Sequence, residues 1–134
     1  MADIRRVTDD FAVAPQLAPD EVAQAATRGF RLLINNRPDG ESPGQPTGAA
    51  MAAAADKVGL SYVHIPFAGA PGPAQVEAVR SAVLAADGPV LAFCRSGTRS
   101  ITAWAQGQAK SGDRPREELV RLGREAGYDL SGSI

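Results

Sequence analysis

Reactive chemistry is concentrated in Phe93-Cys94-Arg95-Ser96-Gly97-Thr98-Arg99-Ser100, around the chain's one cysteine. An apolar run at 89–93 precedes this cysteine and a helix-forming run at 100–110 follows it, so Cys94 falls on a strand-to-helix turn. Backbone N–H groups around such a turn can point inward and form an anion nest. The positive end of the helix dipole and an arginine at the mouth then favour thiolate over thiol. Cys94 is therefore the candidate nucleophile. Arg99 is the candidate anion clamp, through its planar fork, and Ser100 is a hydrogen-bond partner for the sulfur. Gly97 suits the φ > 0 turn that a tight cradle demands. Arg95, Ser96, Gly97 and Thr98 form the anion-binding wall, with Arg95 either steering anions or simply solvated. The bland alternative makes Cys94 a small buried hydrophobe and Arg99 half of a surface ion pair. It leaves the coincidence of strand, cysteine, glycine, arginine and helix unaccounted for.

A second polar cluster, Asn35-Asn36-Arg37-Pro38-Asp39, follows another apolar run. Arg37 is a candidate for binding an anionic substrate, Asn36 for bracing the cysteine loop, and Asp39 for supplying a carboxyl; a polar turn with an Asx hydrogen bond is the competing reading. His64 lies mid-strand and reads as a core histidine, and Trp104 as a packing anchor. The charges between Glu117 and Arg124 alternate as on a solvated helix face. One histidine and one cysteine leave a zinc site short of ligands, and neither a metal nor another cofactor is expected.

These residues need a scaffold, and the chain supplies a β-α alternation. Strands are predicted at 11–14, 30–35, 61–66 and 89–93, and helices at 19–28, 47–58, 73–86, 100–110 and 115–126. Prolines and hydroxyl residues open the helices and glycines close them. The alanine-rich stretch at 48–55 is a helix, because alanine loses no side-chain entropy there. Residues 35–47 hold Pro38, Gly40, Pro43, Gly44 and Pro46 without apolar periodicity, and read as a long surface loop that covers the site without holding the fold together. Strands joined by helices run parallel, so their C-terminal ends share one edge. Ligands bind beyond that edge in such sheets. The loops at 36–46, 67–72 and 94–99 meet there.

Composition sets the outer limits. The 134 residues are one domain's worth of chain, with 44 % hydrophobic and 22 % charged residues. A formal net charge of −1 provides no global basic field for nucleic acid or an anionic membrane. A single cysteine allows no internal disulfide, and no apolar run reaches the ~18–20 residues of a membrane span. The chain reads as soluble, reduced and cytoplasmic.

The cysteine loop resembles two superfamilies: the tyrosine and dual-specificity phosphatases, with Cys-x5-Arg, and the rhodaneses, with a Cys-Arg-x-Gly-x-Arg loop. Four residues separate Cys94 from Arg99, which is the rhodanese length. The order Tyr62-Val63-His64-Ile65-Pro66, helix, Pro89-Val90-Leu91-Ala92-Phe93, loop, is similar to the dual-specificity phosphatases. Together with residues 8–14 and Ile34-Asn35-Asn36-Arg37-Pro38-Asp39-Gly40-Glu41, it resembles the beta-lactamase-hydrolase-like family and its phosphatase-like domain. That resemblance covers nearly the whole chain. It implies a three-layer α/β fold with a mainly parallel sheet. It also implies a small anionic sulfur or phosphate substrate, with a thiol acceptor or a sulfide-handling protein as partner.

Two departures from phosphatases bear on the reaction. Phe93 stands where they carry a histidine, and Phe67-Ala68-Gly69-Ala70-Pro71-Gly72 lacks their leaving-group aspartate, leaving Asp39 as the nearby carboxyl. General acid catalysis is worth about 10²–10⁴-fold, whereas sulfane-sulfur transfer needs no acid. The expectation is a sulfurtransferase working through a Cys94 persulfide. A phosphatase working through a phosphocysteine is the alternative, and a non-catalytic oxyanion or sulfur-carrier module the second.

Overall fold

The structure, a computed structural model, describes residues 1–134. Four four-residue strands form its core: β2 (Phe11–Ala14), β3 (Leu32–Asn35), β4 (Ser61–His64) and β5 (Val90–Phe93). All four run parallel, as their helical connections require. The sequence reading missed β1 (Arg5–Arg6), which pairs antiparallel with β2 and completes the sheet order β1-β2-β5-β3-β4. Two arginines at a sheet edge carry no apolar pattern, so nothing local marks them as a strand.

Strands β2 and β5 are buried at every position, as apolar runs covered on both faces must be. On one face lie α1 (Val22–Thr27), entered through a 3-10 turn at Pro19–Glu21, and α2 (Gly48–Lys57); Val22, Ala25, Met51 and Ala55 pack there with Phe30, Leu33, Leu91 and Phe93. On the other face lie α3 (Pro73–Ala85), α4 (Thr98–Ser111) and α5 (Arg116–Glu125), contributing Val79, Ile101, Trp104 and Leu119. Trp104 stacks on Phe11 with ring centroids 5.0 Å apart, fastening α4 to the sheet. The result is the expected three-layer α/β architecture.

Register aligns the site. Ala14, Phe93, Asn35 and His64, the last residues of the four parallel strands, lie in one row across the sheet. Whatever follows each strand therefore emerges on the same edge.

Candidate active site

Cys94 leaves β5 directly and is fully buried. Its Sγ accepts a hydrogen bond from the Gly97 N–H at 3.1 Å. Gly97 has φ of 92° and is the N-cap of α4, so the helix starts two residues earlier than predicted and Arg99 falls in its first turn. The left-handed backbone is the reason for glycine at 97. Arg95, Ser96 and Thr98 are exposed, and the Ser96 hydroxyl donates to Thr98 Oγ1 at 3.0 Å. Side chains of this wall therefore face outward, and its inward face is backbone. Two loop carbonyls are held from outside: Arg95 O accepts from the Gln16 N–H at 3.2 Å, and Ser96 O from the Tyr128 hydroxyl at 2.9 Å.

Arg99 is fixed by Glu41. Its Nη1 and Nη2 donate to the two carboxylate oxygens at 2.8 Å each, and Nη1 also donates to the Phe67 carbonyl at 3.0 Å. A guanidinium carries five N–H donors; this arrangement uses three and leaves the Nε–H and one Nη2–H. The Arg99 pKa is raised, first by the bond to Glu41 and further by the charge of the neighbouring Cys94 sulfur. Glu41 in turn is pulled down to about 2, chiefly by the Arg99 bond, against burial and with help from Arg37. At neutral pH it is a carboxylate and has no proton to give.

Arg37 departs from its expected role as a substrate ligand. It is 4 % exposed, and its guanidinium donates to Glu41 at 2.9 Å, Gln16 at 3.1 Å and Ser42 at 3.1 Å. Its N–H meets Asn35 Oδ1 at 2.9 Å, and its carbonyl accepts from His64 Nε2 at 2.8 Å. The loop at 36–46 is thus organised around a buried arginine, correcting the reading of a cover with few buried contacts. Those contacts come from polar side chains, which apolar periodicity does not register.

Ser100 does not bond the sulfur: its buried hydroxyl donates to Asn36 Oδ1 at 2.7 Å. Asn36 also donates from Nδ2 to Ile65 O at 3.0 Å and from its N–H to Phe93 O at 2.8 Å. It ties α4, β4 and β5 together beside the loop. Asp39 accepts from the Gly48 N–H at 2.7 Å, capping α2, so the expected spare carboxyl is occupied at a helix start. An open groove of about 330 Å³ runs beside Arg99, with Gly69, Ala70 and Pro71 on one wall and Thr98, Thr102 and Gln106 on the other; none of its lining residues carries a carboxyl.

Sequence reasoning missed Glu41, Gln16 and Tyr128 as functional residues. Glu41 left a trace, since opposite charges four apart at Arg37 and Glu41 in a loop bound for the reactive edge are a pairing signal. Tyr128 left none, because its place depends on how α5 docks.

A buried cysteine in the loop after a parallel strand, with an arginine in the first turn of the next helix, is the arrangement of cysteine phosphatases, and known structures share the fold. One is a candidate phosphatase from Neisseria meningitidis, 32 % identical with a TM-score of 0.85, covering 95 % of this chain and 90 % of that one. Another, TpbA of P. aeruginosa in complex with pTyr, shares the fold alone at 16 % identity and a TM-score of 0.66, covering 97 % and 86 %. The chain belongs to the family described as "Beta-lactamase hydrolase-like protein, phosphatase-like domain", which residues 3–111 match. The beta-lactamase hydrolase-like protein of Xylella fastidiosa is 36 % identical over 129 residues, 96 % of this chain. This chain spans about 30 % of the length of that relative. Such company does not support the expected sulfur transfer; the phosphatase alternative fits it better. No helix is long and apolar enough to cross a membrane.

Proposed function

We propose that this chain hydrolyses phosphomonoesters through a phosphocysteine at Cys94, favouring substrates whose leaving group departs without a proton, such as aryl phosphates. The observation that carries this reading is the Arg99 guanidinium, held along one edge by Glu41 with two N–H donors left over. A planar pair of donors matches two oxygens of a phosphoryl group, and fixing it in advance avoids reorganisation in the transition state.

In the first step the Cys94 thiolate attacks phosphorus. The S–P bond forms and the P–O bond to the leaving group breaks, its electron pair departing with the oxygen. Backbone N–H groups of the loop and Arg99 take up charge on the remaining oxygens. With Glu41 ionised and Asp39 capping α2, the departing oxygen takes its proton from water, which selects phenols over alkanols. Water then attacks the phosphocysteine, releasing inorganic phosphate and restoring the thiolate.

The test is turnover across aryl phosphates of graded leaving-group acidity, with an alkyl phosphate for contrast. Hydrolysis should rise steeply with leaving-group acidity and vanish in Cys94→Ser. A second reading, sulfur transfer, is favoured by the four residues between Cys94 and Arg99, one fewer than in the phosphatase cradle. There the thiolate would attack the outer sulfur of thiosulfate, forming a persulfide and expelling sulfite. If aryl phosphates are inert and Cys94 gains one cyanide-removable sulfur by intact mass, that reading replaces the first. Tight binding of phosphate with neither reaction would make the chain an oxyanion-binding module.

A further inference from the structure

Tyr128 lies outside residues 3–111, the span that matches the family, yet its hydroxyl bonds inside the cysteine loop. We propose that Tyr128 is a positioning residue that sets the Ser96–Gly97 peptide so that the Gly97 N–H faces the reacting sulfur. Its predicted effect on turnover rests on the phosphatase reading; its effect on the loop does not.

The argument begins with peptide geometry. In a trans peptide the carbonyl and the next N–H point in opposite directions. Tyr128 Oη donates to the Ser96 carbonyl at 2.9 Å and holds it outward. The N–H of the same peptide then points inward, where it donates to Cys94 Sγ at 3.1 Å. Glycine at 97 is free enough to adopt other orientations, so this one needs an external hold. The ring is packed directly against it: a Cβ at Gly97 would collide with the Tyr128 hydroxyl. Gln16 holds the preceding carbonyl, Arg95 O. Segments from the two ends of the chain thus pin successive carbonyls away from the sulfur.

Tyr128 is itself fixed. The Arg5 guanidinium lies 5.4 Å from its ring centroid and donates to the Ala126 carbonyl at 3.3 Å, and the Tyr128 N–H donates to Gly123 O at 2.8 Å. Burial, and then the charge at Cys94, raise the phenol's pKa, although Arg5 opposes them. The hydroxyl therefore remains a donor at neutral pH. The strand absent from the sequence reading, β1, thus acquires a role in supporting this ring.

Tyr128→Phe removes one oxygen and keeps the ring on Arg5. The Gly97 amide resonance should shift in a ¹H–¹⁵N spectrum, Cys94 should react more slowly with iodoacetamide at pH 7, and kcat/KM on p-nitrophenyl phosphate should fall about tenfold or more, mainly in kcat. Arg5→Leu, which frees the ring without touching the loop, should move the same three readouts less and serves if Tyr128→Phe folds poorly. An unchanged Gly97 resonance and alkylation rate in both variants would overturn the proposal. If the unmodified protein hydrolyses no phosphate ester, the phosphatase reading fails alone, and the resonance and alkylation rate still decide the role of Tyr128.

Discussion

Two loops reach the same sheet edge and are held in opposite ways. The cysteine loop, Cys94 to Arg99, turns its backbone toward the sulfur and its side chains outward, and is pinned by its carbonyls from Gln16 and Tyr128. The loop at 36–46 turns a charged side chain inward: Arg37 is buried and bonded to Glu41, Gln16 and Ser42, and the loop folds around it. One loop is shaped by backbone geometry around a sulfur, the other by side-chain electrostatics around a cation. Glu41 joins them by bonding both arginines. Two arginines near one site thus have different work, and what separates them is access: the Arg37 side chain is 5 % exposed and enclosed by the loop, whereas Arg99 is 17 % exposed and lines the open groove.

The sharpest test of this contrast sets Cys94→Ser against Arg37→Ala. The first should remove turnover, by about 10³-fold or more, because the nucleophile is gone, while the melting curve stays near that of the unmodified protein. The second should act on folding: it leaves Gln16 and Ser42 without their partner and Glu41 with Arg99 alone, and the cost should be about 1–3 kcal/mol by urea titration. Turnover per folded Arg37→Ala molecule should fall less than in Cys94→Ser. If Arg37→Ala melts normally and only weakens phosphate binding, the two loops do not differ as described.

Glu41→Gln probes the joint. It keeps the shape but loses the charged anchor of Arg99, so phosphate affinity and kcat/KM should each fall about tenfold to a hundredfold. The same variant carries a pH signature. The Glu41 pKa in the folded protein is about 2, below the usual 4.5, so its contribution to stability is complete above pH 4.5 and is lost as pH falls toward 2. Chemical denaturation across that window should therefore show a shallower acid loss in Glu41→Gln; parallel curves would show that the carboxylate gains nothing from the two arginines.

Smaller effects sharpen the picture further. Ser100→Ala leaves the buried Asn36 Oδ1 without its donor, and should cost about 1–2 kcal/mol with little change in the alkylation rate of Cys94. A large fall in that rate would return the hydroxyl to the sulfur. Asp39→Asn, at the start of α2, should cost under about 1 kcal/mol and leave turnover intact. A bell-shaped pH–rate profile that loses one limb in Asp39→Asn would make this carboxyl the general acid after all.

Much of this protein is legible along the chain, because its signals are local. Apolar runs, alanine-rich segments and glycine stops mark the four parallel strands and every helix, and the parallel sense of those four follows from connection length alone. Cys94, Gly97 and Arg99 stand out because a strand-to-helix turn and a left-handed glycine leave their mark within six consecutive residues. The absence of a carboxyl in 67–72 is equally plain to read. What the chain order hides is which partner saturates which group. Arg37 and Arg99 are the same residue type, each near a predicted strand end, and their separate fates arise only where Gln16, Glu41, Ser42 and Phe67 converge on them. Ser100 is spent on Asn36, sixty-four positions away, and Tyr128 reaches Ser96 across thirty-two. Hydrogen-bond donors are used up by whichever acceptor the packed chain brings within about 3 Å, and that competition has no counterpart in residue spacing.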